Sequence, residues 1–147
     1  MRLLIATPDQ TLLTTLDTLL AAALGLVPIE VNAVIVSDAK ALLERAELGN
    51  DDVILLDWQL VGARTPDLVR AIFAVYPSAR VMTLLPDQQR QYRQRVWEAG
   101  ACTSIPTERL DEEWLSSALC IMNRAMAREQ RMLATVAQNA NEFGSSH

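Results

Sequence analysis

Short apolar runs alternate with longer segments of helical period along the chain. Leu3-Leu4-Ile5-Ala6 is a continuous apolar run, the pattern of a strand buried on both faces. The next segment predicts a helix with Thr7 as N-cap and Pro8 at its first position. Leu12, Leu13, Leu16, Leu19 and Leu20 give it helical spacing, and Gly25 and Pro28 end it. Ala33-Val34-Ile35-Val36 reads as a second buried strand, followed by a helix from Asp38 to Leu48 with Ser37 as cap. Val53-Ile54-Leu55-Leu56 is a third strand, ending in Asp57. A loop from Trp58 to Thr65 leads into a helix starting at Pro66 and broken at Pro77-Ser78. Val81 to Leu85 is a fourth strand. Pro86-Asp87 opens a helix rich in Gln and Arg that ends at Gly100, and Cys102 to Ile105 is a weaker fifth strand.

Strands alternating with helices predict a parallel sheet covered on both faces. Function in such sheets sits at the carboxyl ends of the strands. That places Thr7, Asp57, Leu85 and Thr107 at the expected crevice. No internal repeat interrupts the pattern.

The last segment differs from the rest. From residue 108 to about 142 there is neither Gly nor Pro. Leu119, Met122, Met126, Leu133, Val136 and Ala140 form an apolar track at 3–4 spacing, interrupted at Glu129. A helix of this length spans roughly 50 Å at about 1.5 Å per residue, about twice what one face of such a domain needs. The surplus from Arg128 onward must be bare, swapped or packed on another molecule. Residues 1–127 therefore read as one domain, and 128–143 as a helical extension for dimerisation or linkage. Gly144-Ser145-Ser146-His147 reads as the start of an expression tag.

The chain has 147 residues, the size of one ordinary domain with its own core. Its net charge of −5 makes direct binding to nucleic acid unfavourable. With His147 set aside there is no histidine, which excludes imidazole catalysis and imidazole metal sites. Cys102 and Cys120 lie in apolar stretches and read as buried thiols of a reducing compartment. No signal peptide is visible and no apolar run approaches the ~20 residues of a membrane span, so a soluble cytoplasmic protein is expected.

Three segments resemble the receiver domain of two-component response regulators. They are Leu3-Leu4-Ile5-Ala6-Thr7-Pro8-Asp9, Asp51 through Leu60, and Glu98-Ala99-Gly100-Ala101-Cys102-Thr103-Ser104-Ile105. The resemblance covers residues 1 to about 120. It implies a CheY-like (flavodoxin-like) three-layer α/β sandwich around a five-stranded parallel sheet, here with an extended C-terminal helix. It also implies a non-enzymatic signalling module. In the family, the strand-three aspartate takes a phosphoryl group from a histidine kinase, and Asp57 matches it. An acidic pair after strand one and a backbone carbonyl, here that of Gln59, hold magnesium. A strand-four hydroxyl and a strand-five lysine neutralise the phosphoryl oxygens.

The departures are heavy. The acidic pair falls on Thr7 and Pro8, with Asp9 the nearest carboxylate. The hydroxyl position falls on Leu85, with Thr83 two residues back, and the lysine position on Thr107. The single lysine, Lys40, belongs to the second helix, so Arg64 is the candidate substitute cation. Magnesium wants hard oxygen ligands and phosphoryl transfer wants charge neutralisation. Asp9 and Asp57 alone are expected to hold magnesium weakly, and no other cofactor is implied. Asp57 is either a phosphoacceptor or a remnant carboxylate capping a loop. Asp9 is either a metal ligand or an acid favoured by the helix dipole.

In the family, the face of strand four, helix four, strand five and helix five is the usual dimer surface. Trp97 and Trp114 fall on it as anchors or as half-buried side chains, and Arg90, Arg93 and Arg95 as a solvated or partner-binding face. Trp58 is expected to shield the loop beside the pocket. The resulting expectation is a receiver module degenerate at its phosphorylation pocket, working through homodimerisation and protein contacts. Met122, Met126, Leu133 and Val136 are its candidate contacts. Candidate partners are a histidine kinase or other signalling protein and a DNA-binding output domain in a longer chain controlling transcription. The alternatives are a phosphorylatable receiver using Asp57, an unregulated dimerisation scaffold, and a flavodoxin-like enzyme, which Ala6-Thr7-Pro8-Asp9 disfavours by offering no phosphate cradle.

Overall fold

Alternate side chains of each central strand point to opposite faces, so a strand covered on both sides must be apolar throughout. That is the pattern of β1 (Arg2–Ala6) after its exposed Arg2, of β3 (Val53–Asp57) up to its terminal Asp57, and of β4 (Val81–Leu85) apart from Thr83. The computed structural model describes residues 1–145, with side chains through Asn141. The remaining strands are β2 (Asn32–Val36) and β5 (Thr103–Pro106), and all five pair in parallel in the order β2-β1-β3-β4-β5.

Helices α1 (Gln10–Leu24) and α5 (Glu112–Ser145) cover one face, over Leu3, Ile5, Leu55, Leu84 and Ile105. Helices α2 (Ala39–Leu48), α3 (Thr65–Val75) and α4 (Arg93–Glu98) cover the other, over Leu4, Ala6, Ile54, Leu56 and Val81. The three-layer α/β sandwich is thus the architecture the alternating pattern predicts. Among the described residues no helix is long and apolar enough to cross a membrane.

Several local readings need correction. β2 is not a buried strand: it lies at the sheet edge with one neighbour, and Ile35 is 53% exposed. Asp9, not Thr7, caps α1, accepting from Thr11 N and Leu12 N, because the Thr7 hydroxyl is engaged elsewhere. Asp38, not Ser37, caps α2 through Ala41 N. The Gln/Arg-rich segment begins as a 3₁₀ stretch, Asp87–Tyr92, and only Arg93–Glu98 is α-helical. A further 3₁₀ turn, Thr107–Arg109, precedes α5, which starts at Glu112 and not at 108. Cys102 is exposed and Cys120 half-buried, so neither is the buried thiol its apolar neighbours suggested. Of the tag-like ending, Gly144 and Ser145 continue α5, while Ser146 and His147 lie outside the described residues.

The track on α5 divides at Glu129. Leu115, Leu119 and Met122 are buried in the core, and Met126 is partly buried against it. Met122 and Met126 are therefore core residues and not contacts for a partner. Glu129, which interrupts the track, pairs with Arg80 at the foot of β4. Beyond it Met132, Leu133 and Val136 are about two-thirds exposed.

The Ala-Gly-Ala turn has a steric reason. Gly100 has φ +118°, and a Cβ there would lie 2.6 Å from the Phe73 ring on α3. Gly100→Ala should cost about 2 kcal/mol or more, from backbone strain plus overpacking. Thermal unfolding should show Tm lower by roughly 5–10 °C. An unchanged Tm would mean that this turn does not fix the approach of α4 to α3.

Candidate functional site

The carboxyl ends of β1 and β3 bring Thr7 and Asp57 together. Asp57 is the last residue of β3 and is 2% exposed. The fully buried Thr7 follows β1 and donates its hydroxyl to Asp57 Oδ2 at 2.6 Å. The same hydroxyl oxygen accepts the Asp9 backbone N–H at 3.1 Å. Pro8 lies between, its fixed φ suited to the turn into α1. The Gln59 backbone N–H reaches Asp57 Oδ1 at 3.2 Å, and the Gln59 side-chain amide donates to Asp9 Oδ2 at 3.1 Å. Asp9 spends Oδ1 on the α1 N-terminus and Oδ2 on Gln59.

The result is a ring of hydrogen bonds closed within the chain, made of Thr7, Asp9, Asp57 and Gln59. Every donor in it is neutral. Burial pushes the Asp57 carboxyl above its ordinary value, the Thr7 and Gln59 hydrogen bonds oppose this, and the charge of Asp9 adds to it. The Gln59 amide, with the helix-end N–H groups, holds Asp9 below its ordinary value. A carboxyl whose folded pKa is raised contributes stability that is present below its unfolded pKa and lost as pH rises through the folded value. Asp57→Asn, a near-isostere without charge, should match the native Tm in acid and exceed it as pH rises. Parallel Tm-against-pH curves for the two chains would contradict this.

Leu85 and Thr107 also lie at this edge of the sheet. Leu85 pairs with Pro106, and Thr107 is the next residue. Leu85 is buried and offers no polar atom. The Thr107 hydroxyl is buried without a hydrogen-bond partner. Thr83 does not replace the missing hydroxyl, because its Oγ1 is paired with Ser104 Oγ at 2.6 Å between β4 and β5. Arg64 is not the substitute cation: it lines a groove with Ala39, Leu43 and Asp67 between α2 and α3. Among the described residues no cation forms an ion pair with Asp57, and no three metal-ligating side chains cluster.

Trp58 packs on Tyr92, with ring centroids 4.8 Å apart, and the Arg95 guanidinium stands 5.3 Å from the Tyr92 centroid. The loop after β3 is thereby joined to the start of α4. The sequence reading missed Tyr92, although it is the one aromatic of the 3₁₀ stretch Asp87–Tyr92. Trp97 is exposed, whereas Trp114 packs partly against the core.

No family model and no curated protein matches this sequence. Solved structures do match. The signal receiver domain of an HD domain-containing protein from Pseudomonas fluorescens is 19% identical, with TM-score 0.73 over 88% of this chain and 91% of that one. The receiver domain of a sensor histidine kinase from Pseudomonas aeruginosa, solved with magnesium in its active-site cleft, is 18% identical, with TM-score 0.64 over 84% and 94%. A pilus assembly protein from Burkholderia thailandensis is 17% identical, with TM-score 0.69 over 84% and 98%. The strand order, the position of Asp57 and these likenesses together give this chain the fold of a response-regulator receiver domain.

Proposed function

We propose that this chain is a receiver-type signalling module whose output is set by dimerisation and protein contacts and not by phosphoryl transfer to Asp57. The observation that carries the reading is the closed ring at Asp57: both carboxylate oxygens are engaged by neutral groups of the chain itself. A phosphoryl group on either carboxylate oxygen would displace the Thr7 or the Gln59 contact made there and meet no lysine. Magnesium would have to compete for Asp9 with the α1 N-terminus at one carboxylate oxygen or with Gln59 at the other. The module is a binding protein and not an enzyme, and it needs no cofactor. Its partners would be a second copy, another signalling protein and an output domain such as a transcriptional one. The fold's occurrence in a pilus assembly protein as well as in a kinase receiver suits an output read through contacts.

The test is exposure of the native chain and Asp57→Asn to acetyl phosphate and magnesium, followed by intact-mass measurement. No phosphoryl adduct is expected on either. A stoichiometric adduct on the native chain that is absent from Asp57→Asn would overturn the proposal and make this an ordinary phosphorylatable receiver.

A further inference from the structure

A groove of about 570 Å³ lies between α4 and the start of α5, on the far side of β5 from Asp57. Each wall carries one guanidinium and one indole. Arg93 and Trp97, four residues apart, share one face of α4. Arg109, from the 3₁₀ turn, and Trp114, from α5, stand opposite. Thr103 and Ser104 of β5 contribute the polar floor.

The charges in this groove lack partners. Among the described residues neither Arg93 nor Arg109 forms an ion pair. The nearby carboxylates are engaged elsewhere. Glu98 accepts from the Gln94 amide at 3.0 Å, Glu108 from Asp87 N at 3.0 Å, and Asp111 from Trp114 N at 2.7 Å. Trp97 is 64% exposed, a large apolar surface left in water. A chain of net charge −5 thus presents two free guanidiniums beside two indoles.

Indoles take flat aromatic rings by stacking, and guanidiniums take phosphate oxygens by charge-assisted hydrogen bonds. The volume lies within the roughly 300–1,000 Å³ of small-molecule sites. It matches about one turn of α-helix, too little for the i to i+7 anchors of helix-in-groove docking. We propose that this groove binds a nucleoside phosphate, its base stacked on an indole and its phosphates held by Arg93 and Arg109.

Equilibrium dialysis of the full chain with ATP, adenosine and tripolyphosphate tests it. ATP should bind at one saturable site, with adenosine and tripolyphosphate each weaker by roughly tenfold or more, because stacking and ion contacts both contribute. Arg93→Ala with Arg109→Ala, and separately Trp97→Leu, should each weaken ATP by a similar factor. All three side chains are exposed, so folding should survive, and circular dichroism would verify this. Cys102, which also lines the groove, supplies a second readout: ATP should slow its alkylation by iodoacetamide. Absence of ATP binding, equal binding of tripolyphosphate, or undiminished binding by the Arg93/Arg109 variant would overturn the proposal. So would ATP binding that leaves Cys102 alkylation unchanged.

Discussion

A chain carrying Pro8→Asp, Leu85→Thr and Thr107→Lys together should bind beryllofluoride, a mimic of aspartyl phosphate, in a magnesium-dependent way that the native chain does not. Each change restores one missing element at the edge where β1, β4 and β5 end beside Asp57. Asp at position 8 adds a hard carboxylate oxygen for the cation. Thr at position 85 follows the partner of Asp57 on β4, since Asp57 pairs with Leu84. Lys at position 107 replaces a buried hydroxyl that lacks a partner. Charge-assisted contacts contribute about 1.5–3 kcal/mol each, so two of them amount to a gain of roughly 100-fold or more in affinity. Titration followed by tryptophan fluorescence reads the effect, because Trp58 is next to Asp57. Asp57→Asn in the rebuilt chain should abolish it. Saturable binding to the native chain would show that Thr7 and Gln59 yield to the ligand, and the closed ring would then be a resting state and not a block.

The ring itself could not have been read from the sequence, and the reason is specific. Spacing put Thr7, Asp9, Asp57 and Gln59 at the right strand ends, because a parallel sheet gathers the carboxyl ends of β1 and β3 whatever residues stand there. The direction of each hydrogen bond was not encoded in spacing. Thr7 as N-cap and Asp9 as first-turn acid was a sound local reading, but the buried Asp57 needed a donor and Thr7 was within reach. Capping then passed to Asp9. β2 misled for another reason: Ala33-Val34-Ile35-Val36 looks like a central strand, and only strand order reveals an edge. The α4 segment failed at its start, where Pro86 and the Asp87–Tyr92 turns replace a full helix. The long C-terminal helix was legible because its period ran on without Gly or Pro. That Met122 and Met126 belong to the core was not, since one apolar track serves both the domain and whatever covers the extension.

Leu133→Asp with Val136→Asp should convert a dimeric chain into a monomer, as read by solution mass. The two residues continue the track of Leu119, Met122 and Met126, but they lie past the Arg80–Glu129 pair, where the domain no longer covers the helix. At 3–4 spacing they present one stripe, and its immediate flanks on the seam, Gln130, Met132, Ala137 and Asn139, carry no charge. Arg124, Arg128 and Arg131 fall outside the seam, so two parallel copies can close on the stripe without bringing arginines together. Burying a Leu or Val side chain contributes about 1.5–3 kcal/mol, and four are buried per dimer. Even after the costs of association, losing them and burying aspartates instead should raise the dimer Kd by roughly 1,000-fold or more. Trp97→Asp is the counterpart on α4, where exposure without a continuing stripe predicts little change in mass. If Trp97→Asp dissociates the chain and the α5 double variant leaves it dimeric, the interface lies on the α4 face. The surplus helix would then act as a linker, and an α4 interface would compete with the nucleotide groove for Arg93 and Trp97.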